Sequence, residues 1–157
     1  MAQTTSEQEL QHIASQLRCP SGDAGLAIGD NMNLNNAGMT TSAIEAMELA
    51  GKETILEIGH GNAGHLPRLL QNATGVAYYG LDISATMHEA AKEKVAGLTI
   101  KSNIQFDLYD GGKLPYHDAM FDAIFTVNTI YFWPDVEATL NEISRCIKPG
   151  GKFVLCF

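Results

Sequence analysis

The strongest constraint on the fold is an alternation, from about residue 53 onward, of short apolar runs with helical patterns. Residues 54–58 (TILEI) are β-branched and nearly all apolar, which is typical of a strand buried on both faces of a parallel sheet. Four later runs have the same character and predict strands at 77–81, 104–108, 123–127 and 153–156. Strands separated by helices connect through right-handed crossovers, so the pattern predicts an α/β fold with a doubly wound, mainly parallel sheet.

Helical patterns precede and separate these strands. Residues 6–17 predict a first helix, and Ser42-x-x-Glu45 has the form of a capping box that opens a helix over about 42–50. Ser84 is placed to cap a helix after the second strand. Apolar residues at helical spacing between 136 and 147 predict a last helix, with Pro134 at its start.

The charge of the chain argues against nucleic-acid binding, because a formal net charge of −8 repels a phosphate backbone. The first residues lack the basic flank and apolar run of an export signal, and no apolar stretch approaches the roughly 20 residues that cross a bilayer. The three cysteines form no Cys-x-x-Cys pair, and the five histidines show no zinc spacing. We therefore expect a cytoplasmic protein with reduced thiols, no membrane partner and no metal.

Candidate chemistry follows the strands, because ligands of doubly wound sheets bind beyond the carboxyl ends of the strands. The first strand leads into Gly59-His60-Gly61-Asn62-Ala63-Gly64, a glycine turn that lets a ligand approach the backbone at a helix N-terminus. This GxGxxG pattern alone leaves open a dinucleotide site and a turn that serves only strand-to-helix packing.

Two acidic residues end the next strands. Asp82 lies 23 residues after Gly59, where a carboxylate accepts hydrogen bonds from ribose hydroxyls, although it is also placed to cap the following helix. Asp110 precedes two glycines after the third strand, so it is either a ligand-binding carboxylate or a residue that only forms the turn.

Four segments in order, ILEIGHGNAG, YYGLDIS..M, DGGKLPYHDAMFDAIFTVNTIYF and KPGGKFVLCF, resemble the class I S-adenosylmethionine-dependent methyltransferases. The resemblance covers roughly residues 40–157 and is strongest to the small-molecule branch of the ubiquinone and menaquinone biosynthesis type. It implies a Rossmann-like sheet of order 3-2-1-4-5 with flanking helices. It also implies that S-adenosylmethionine, or S-adenosylhomocysteine as bound product, is the cofactor, and that a small molecule accepts the methyl group.

The resemblance implies donor contacts at the strand ends and the first turn: Glu57, Gly59, His60, Gly61, Gly64, Asp82, Ile83, Met87, Asp110, Gly111 and Asn128. In this assignment Glu57 orients the methionine ammonium, Asp82 binds the ribose, and Asp110 accepts from the adenine amino group. The imidazole of His60 is expected to pack or meet solvent rather than react. No catalytic residue is assigned, since transfer from a sulfonium needs mainly alignment of the acceptor and exclusion of water.

The resemblance also divides the chain into an N-terminal helix and lid segment, residues 1–40, and a donor-binding domain, residues 41–157, within one compact unit. The polar stretch 31–40 is either a lid over the donor, with Met32, Asn33 and Met39 as contacts, or a surface loop. Tyr131, at the expected acceptor side, is either part of an aromatic wall or a packing residue.

The chain ends at the fifth predicted strand, whereas members of this class normally continue with a helix and two further strands that complete the acceptor side. The sequence therefore predicts either a shortened product or a sheet completed by another chain. An uncovered edge at 153–157 predicts a homodimer through that edge. The alternative to a methyltransferase is a module that binds the donor without catalysis.

Overall fold

The computed structural model describes residues 6–99 and 103–157. The elements follow one another as α1 (Glu7–Arg18), α2 (Gly22–Asn35), α3 (Ala37–Met47), β1 (Thr54–Ile58), α4 (Leu66–Asn72), β2 (Ala77–Asp82), α5 (Ala85–Ala96), β3 (Asn103–Leu108), β4 (Phe121–Val127), α6 (Val136–Cys146) and β5 (Ile147–Cys156), with a 3₁₀ turn at Ile130–Phe132. Within the ranges described, no helix is both long and apolar enough to cross a membrane.

The five strands form one parallel sheet in the order β3-β2-β1-β4-β5, which confirms the fold class and strand order expected from the sequence. β1 lies at the centre, where Ile55 pairs with Tyr78 of β2 and with Ala123 of β4. The expectation that every strand is buried on both faces is wrong for β3 and β5. These strands lie at the two edges of the sheet, and their residues are exposed or half-buried.

Side chains from the two faces of the sheet build two separate apolar cores, because successive strand residues point to opposite faces. Ile55, Tyr78 and Phe125 pack on one face with α3, α4 and α5. Leu56 and Ile124 pack on the other face with α6. The next residue of β1 that shares the face of Ile55 is Glu57, so a carboxylate lies at the margin of an apolar core.

The first helix, α1, appears where residues 6–17 predict it, whereas the next two helices differ from the sequence prediction. The structure has a helix α2 that was not predicted, and α3 begins at Ala37, so Ser42 lies inside a helix and caps nothing. The stretch 31–40 is the end of α2 and the start of α3 rather than a loop. Gly29 is buried and lets α2 pack closely on α5, because a Cβ atom there would lie 2.6 Å from Sδ of Met87.

The C-terminal boundaries also differ. α6 ends at Cys146, and Ile147, which was predicted to be helical, pairs with Phe121 of β4 as the first residue of β5. The register of β5 then shifts before Lys152, so the Pro-Gly-Gly segment lies within an irregular strand. Asp135 rather than Pro134 starts α6, because its side chain accepts a hydrogen bond from the amide of Ala138 at 2.9 Å.

Gly80 in β2 provides a test of this packing. A Cβ atom there would lie 2.8 Å from Cδ1 of Phe106 and 2.9 Å from Cδ2 of His60. We expect Gly80→Ala to lower the free energy of unfolding by about 1–3 kcal/mol, measured by urea denaturation, because both neighbours are rings held by packing. Gly97→Ala is the control, since this residue has a helical φ of −85° and open space around it. The control is expected to be neutral or to stabilise by about 0.4–1 kcal/mol. Equal stability of the two variants would contradict the packing.

Candidate donor-binding site

The turn between β1 and α4 is built on backbone conformations that favour glycine. Gly59 has a φ of 78° and Gly61 a φ of 55°. The amide of Gly59 donates to the carbonyl oxygen of Leu81 at 2.7 Å, and a Cβ atom at Gly59 would lie 2.5 Å from Cγ2 of Thr129. The turn therefore crosses the end of β2 and passes directly beside the segment after β4, with no room for a side chain at its first residue.

The carboxylate of Asp82 joins this turn to the end of β2. Its Oδ2 accepts from the amide of Gly61 at 2.9 Å, and its Oδ1 accepts from the amide of Ser84 at 2.9 Å. Only 7% of the residue is exposed. Two backbone donors hold the carboxylate in one orientation, and each oxygen keeps further capacity to accept a hydrogen bond from a ligand.

Glu57 is the second buried carboxylate at the ends of the strands. Its Oε2 accepts from the hydroxyl of Tyr78 at 2.5 Å and lies 2.7 Å from Nε2 of His65. Burial raises the pKa of Tyr78 well above its usual value, and the negative charge of Glu57 raises it further. Burial by itself lowers the pKa of His65, but the charge of Glu57 and the hydrogen bond to it raise this pKa above its usual value.

His60 is buried in the turn and packs on Phe106, with ring centroids 4.8 Å apart. Its Nδ1 lies 2.6 Å from the carbonyl oxygen of Gly61 and donates to it. Burial lowers the pKa of His60, against the opposing charges of Asp82 and Glu57. The imidazole is therefore neutral near pH 7, and its Nε2 is a buried acceptor with no partner in the described part of the chain.

The segment after β3 forms the far side of the site. Oδ1 of Asp110 accepts from the amide of Gly112 at 2.9 Å, and Gly111 has a φ of 90°. The side chain of Ile83 lies beside Gly111, within van der Waals distance of where a Cβ atom would be. Burial, together with the charges of Asp82 and Asp110, raises the pKa of Tyr109 to about 12, so this hydroxyl keeps its proton at neutral pH.

The N-terminal helices contact the same strand ends. The hydroxyl of Ser84 donates to the carbonyl oxygen of Pro20 at 2.5 Å, and Nδ2 of Asn62 donates to Oδ1 of Asp30 at 2.7 Å. On the opposite side, Nδ2 of Asn128 donates to Oδ1 of Asn36 at 3.3 Å. The connection after α1 and the helices α2 and α3 thus close over the turn.

These elements surround a cavity of about 320 Å³, a size typical of small-molecule sites. Thirteen of the predicted site residues line it: Met32, Asn33, Glu57, Gly59, His60, Gly61, Asp82, Ile83, Met87, Asp110, Gly111, Asn128 and Tyr131. Two predicted contacts lie elsewhere. Met39 is not among the lining residues and packs against the core, because α3 turns it toward the sheet. Gly64 is not among the lining residues either, and it packs against the side chain of Asn33, where a Cβ atom would lie 2.6 Å from Nδ2.

Some lining residues were not predicted from the sequence. His65, Tyr109 and Thr129 line the cavity, and Asn62 lines it and holds the turn. His65 lies eight residues after Glu57, a separation with no periodic meaning, so only the folded turn brings the two together. For Tyr109 the available signal was its position directly after β3.

The groups of this cavity suit a cationic nucleoside ligand. Asp82 and Glu57 are buried carboxylates at adjoining strand ends, and each has capacity for a further hydrogen bond. A Cβ atom at Gly61 would meet nothing within 4 Å, so the turn leaves open space over the backbone. Two carboxylates that line the same cavity favour a positively charged ligand over the negatively charged pyrophosphate of a dinucleotide. The fold and the site thus define a Rossmann-like protein of the class I methyltransferase type.

Comparison with known sequences identifies the family. Residues 56–155 match the family described as "Methyltransferase domain", and the chain belongs to this family. The chain is 28% identical over 117 residues to methyltransferase GfsG from Streptomyces halstedii, covering 74% of this chain and 42% of that protein. It is 29% identical over 123 residues to demethylmenaquinone methyltransferase from Tropheryma whipplei, covering 78% and 49% respectively. The chain therefore spans less than half the length of these two relatives.

A solved structure supports the same assignment. The crystal structure of an S-adenosylmethionine-dependent methyltransferase from Aquifex aeolicus superposes with a TM-score of 0.62 and 27% identity. The alignment covers 69% of this chain and 58% of that one. The expected membership of the class I S-adenosylmethionine-dependent methyltransferases is confirmed.

Ser84 tests the connection between the site and the N-terminal helices. Ser84→Ala removes the cap of α5 and the bond to Pro20, so we expect a loss of about 0.5–2 kcal/mol of stability and faster amide exchange in α2. Asp135→Ala is the matched control, because it removes the cap of α6 and touches no N-terminal residue. Hydrogen exchange with mass spectrometry measures both variants. Similar exchange of α2 in the two variants would argue against the connection.

Proposed function

We propose that this protein transfers a methyl group from S-adenosylmethionine to a small-molecule acceptor. The observation that carries the proposal is the arrangement of Asp82 and Glu57 around the Gly59–Gly61 turn, in a cavity at the carboxyl ends of β1 and β2. Membership of the methyltransferase domain family supports the reaction type. The name of one relative, demethylmenaquinone methyltransferase, supports a small-molecule acceptor.

In this proposal the donor lies across the turn. Asp82 accepts hydrogen bonds from the ribose hydroxyls, and Ile83 with Met87 forms the apolar slot for the adenine. Asp110 accepts from the adenine amino group beside Gly111. The open space over the backbone of Gly61 leaves room for the methionine part, whose ammonium meets Glu57. The support is that all these residues line one cavity.

The bound donor supplies a methyl group already activated by its sulfonium, so the protein has no need to provide a nucleophile. The residues of the chain hold the donor, orient the acceptor and exclude water from the reacting carbon. Tyr131 and Trp133 line the cavity on the side of β4, and 65% of Tyr131 is exposed. We assign this aromatic side, together with Asn128, to the acceptor and the methyl-donor channel.

We further propose that residues 1–40, of which 1–5 lie outside the described residues, act as the lid of the donor-binding domain formed by residues 41–157. The support is that Met32 and Asn33 line the cavity, while Pro20 and Asp30 are hydrogen-bonded to residues of the strand ends. A helical lid excludes water while it leaves the acceptor side open.

We also propose a cytoplasmic location and a homodimer through β5. Cys19, Cys146 and Cys156 are free thiols, which supports a reducing compartment. β5 pairs with β4 on one side, and no strand of the described residues pairs with its other side. The side chains of Phe153 and Leu155 are half-buried, so a second copy of β5 would cover apolar surface at this edge.

The donor assignment predicts the effect of Asp82→Ala. We expect it to weaken binding of S-adenosylhomocysteine by about 1.5–3 kcal/mol in calorimetry, because the ribose loses its charged acceptor. Asp118→Ala removes a carboxylate that is 80% exposed and paired with Arg145 outside the cavity, and it is expected to bind normally. Unchanged affinity of folded Asp82→Ala would contradict the ribose assignment.

The transfer reaction is tested with S-adenosylmethionine and a broad panel of small-molecule acceptors. If the protein binds the donor but methylates none of these acceptors, the proposed transfer reaction is contradicted.

The dimer proposal predicts that sedimentation velocity finds a dimer whose fraction rises with concentration. Leu155→Lys, which puts a charge on the proposed interface, is expected to give the monomer at the same concentration. Glu93→Gln, which changes the net charge by the same +1 at an exposed residue of α5 beside β2 and β3, is the control. If sedimentation velocity finds only the monomer of the wild-type protein at every concentration, the dimer proposal is contradicted.

A further inference from the structure

We propose that His65 positions Glu57 for the ammonium group of the donor and releases a proton when that ammonium binds. The inference rests on the proposed function, since it concerns the same cavity and the same ligand. It adds a residue to which the sequence had assigned no function, and it links donor affinity to pH.

The hydrogen bonds of Glu57 are distributed unequally over its two oxygens. The contacts with His65 and Tyr78 are both made by Oε2, at 2.7 and 2.5 Å. Oε1 has no hydrogen-bond partner among residues 6–99 and 103–157, although Glu57 is only 2% exposed and lines the cavity. Oε1 is not among the buried atoms that lack a partner, so this free carboxylate oxygen is accessible from the cavity and can accept from a ligand ammonium at the cavity wall.

His65 is an imidazole with one buried acidic partner. Its side chain is 12% exposed, and it contacts Glu57 from the turn that precedes α4. Burial opposes its protonation, while the charge of Glu57 and the hydrogen bond favour it, with a net rise of its pKa above 6.5. In the ligand-free protein, His65 therefore carries a proton over a wider pH range than an ordinary histidine, and it neutralises Glu57.

Two other ionisable groups near this pair, Tyr78 and His60, do not change charge in the same range. Tyr78 of β2 keeps its proton, because its pKa lies well above 10, and His60 is neutral, because burial lowers its pKa. Asp82 of β2 is held by two amides on the opposite side of the turn.

The cavity lining contains two further charged residues besides Glu57 and Asp82. Arg18 at the end of α1 and Asp110 after β3 are the other charged residues of the lining. α2 and α3 contribute uncharged residues to it, Thr40 being one. His65 is thus the group beside Glu57 whose protonation responds to a ligand near neutral pH.

An ammonium on Oε1 places a second cation on the same carboxylate. The like charges of the ammonium and the imidazolium lower the pKa of His65 in the complex. The proton leaves from Nδ1 to solvent, while Nε2–H continues to donate to Oε2. The complex binds fewer protons than the free protein, so donor affinity rises with pH through the free-protein pKa of His65 and becomes constant above it.

Calorimetry on the wild-type protein tests the proton release directly. S-adenosylhomocysteine is titrated at about pH 6.5 in buffers of different ionisation enthalpy, and the buffer dependence of the heat gives the number of protons released. We expect up to about one proton per ligand, with affinity that rises with pH by up to about tenfold per unit below the free-protein pKa of His65 and is constant above it. 5′-Methylthioadenosine shares the adenosine and the sulfur but has no ammonium, and it is expected to release no proton.

Two variants separate a positioning function from packing. Folded His65→Asn is expected to bind S-adenosylhomocysteine with a pH-independent affinity and without proton release. His117→Asn, a change at an exposed histidine outside the cavity, is the matched control and is expected to behave as wild type. Tyr78→Phe removes the other donor to Oε2 and leaves the titrating group, so it is expected to retain the proton release.

The outcomes distinguish this inference from the function on which it rests. S-adenosylhomocysteine that binds wild type with no proton release and a flat pH profile overturns the assignment to His65 and leaves the donor site intact. Equal proton release by the two nucleosides, or by wild type and His65→Asn, also overturns it. Failure of wild type to bind S-adenosylhomocysteine at any pH overturns the proposed function itself. If His65→Asn does not fold, the comparison of proton release on binding S-adenosylhomocysteine and 5′-methylthioadenosine to the wild-type protein still tests the inference.

Discussion

The structure of the site depends on one carboxylate, that of Asp82, which accepts an amide hydrogen bond on each of its oxygens. One amide comes from Gly61 in the turn after β1, and the other comes from Ser84 at the start of α5. Ser84 in turn holds Pro20, so a single buried charge connects two strand ends, a helix N-terminus and the N-terminal segment. Charge-assisted bonds to backbone donors are strong and directional, and they give the cavity its shape before any ligand binds.

The second feature of the site is the way its acidic groups are compensated. A buried carboxylate is costly unless it is hydrogen-bonded or paired. Asp82 meets this requirement with backbone amides, which carry no titratable proton. Glu57 meets it with Tyr78 and His65, and one of these changes its charge near neutral pH. Two carboxylates at adjoining strand ends are therefore held by different kinds of partner, although the sequence presents both as acids after or within apolar runs.

Much of the fold was accessible from the sequence because its signals are local. Each of the five predicted strands overlaps a strand of the structure, since short apolar runs that alternate with helical patterns are typical of a parallel sheet, although β5 begins six residues earlier than predicted. The glycines at 59 and 61 and the acids at 82 and 110 were found because they directly follow strands. The helix α2 was not predicted, because glycine has a low helix propensity and Gly25 and Gly29 weaken the helical pattern. They are tolerated in α2 since Pro20 and Met87 approach its backbone closely.

What the sequence by itself determined is the α/β alternation, the glycine turn and the acids at the strand ends, because these depend on local periodicity, on φ angles open to glycine and on the polarity of a parallel sheet. Only the tertiary structure decided which groups meet there. Glu57, His65 and Tyr78 come from a strand, a turn and a neighbouring strand, and Asn128 reaches across to Asn36 of the N-terminal segment. Contacts of this kind follow no period along the chain, since they arise from the packing of elements that are separated in sequence.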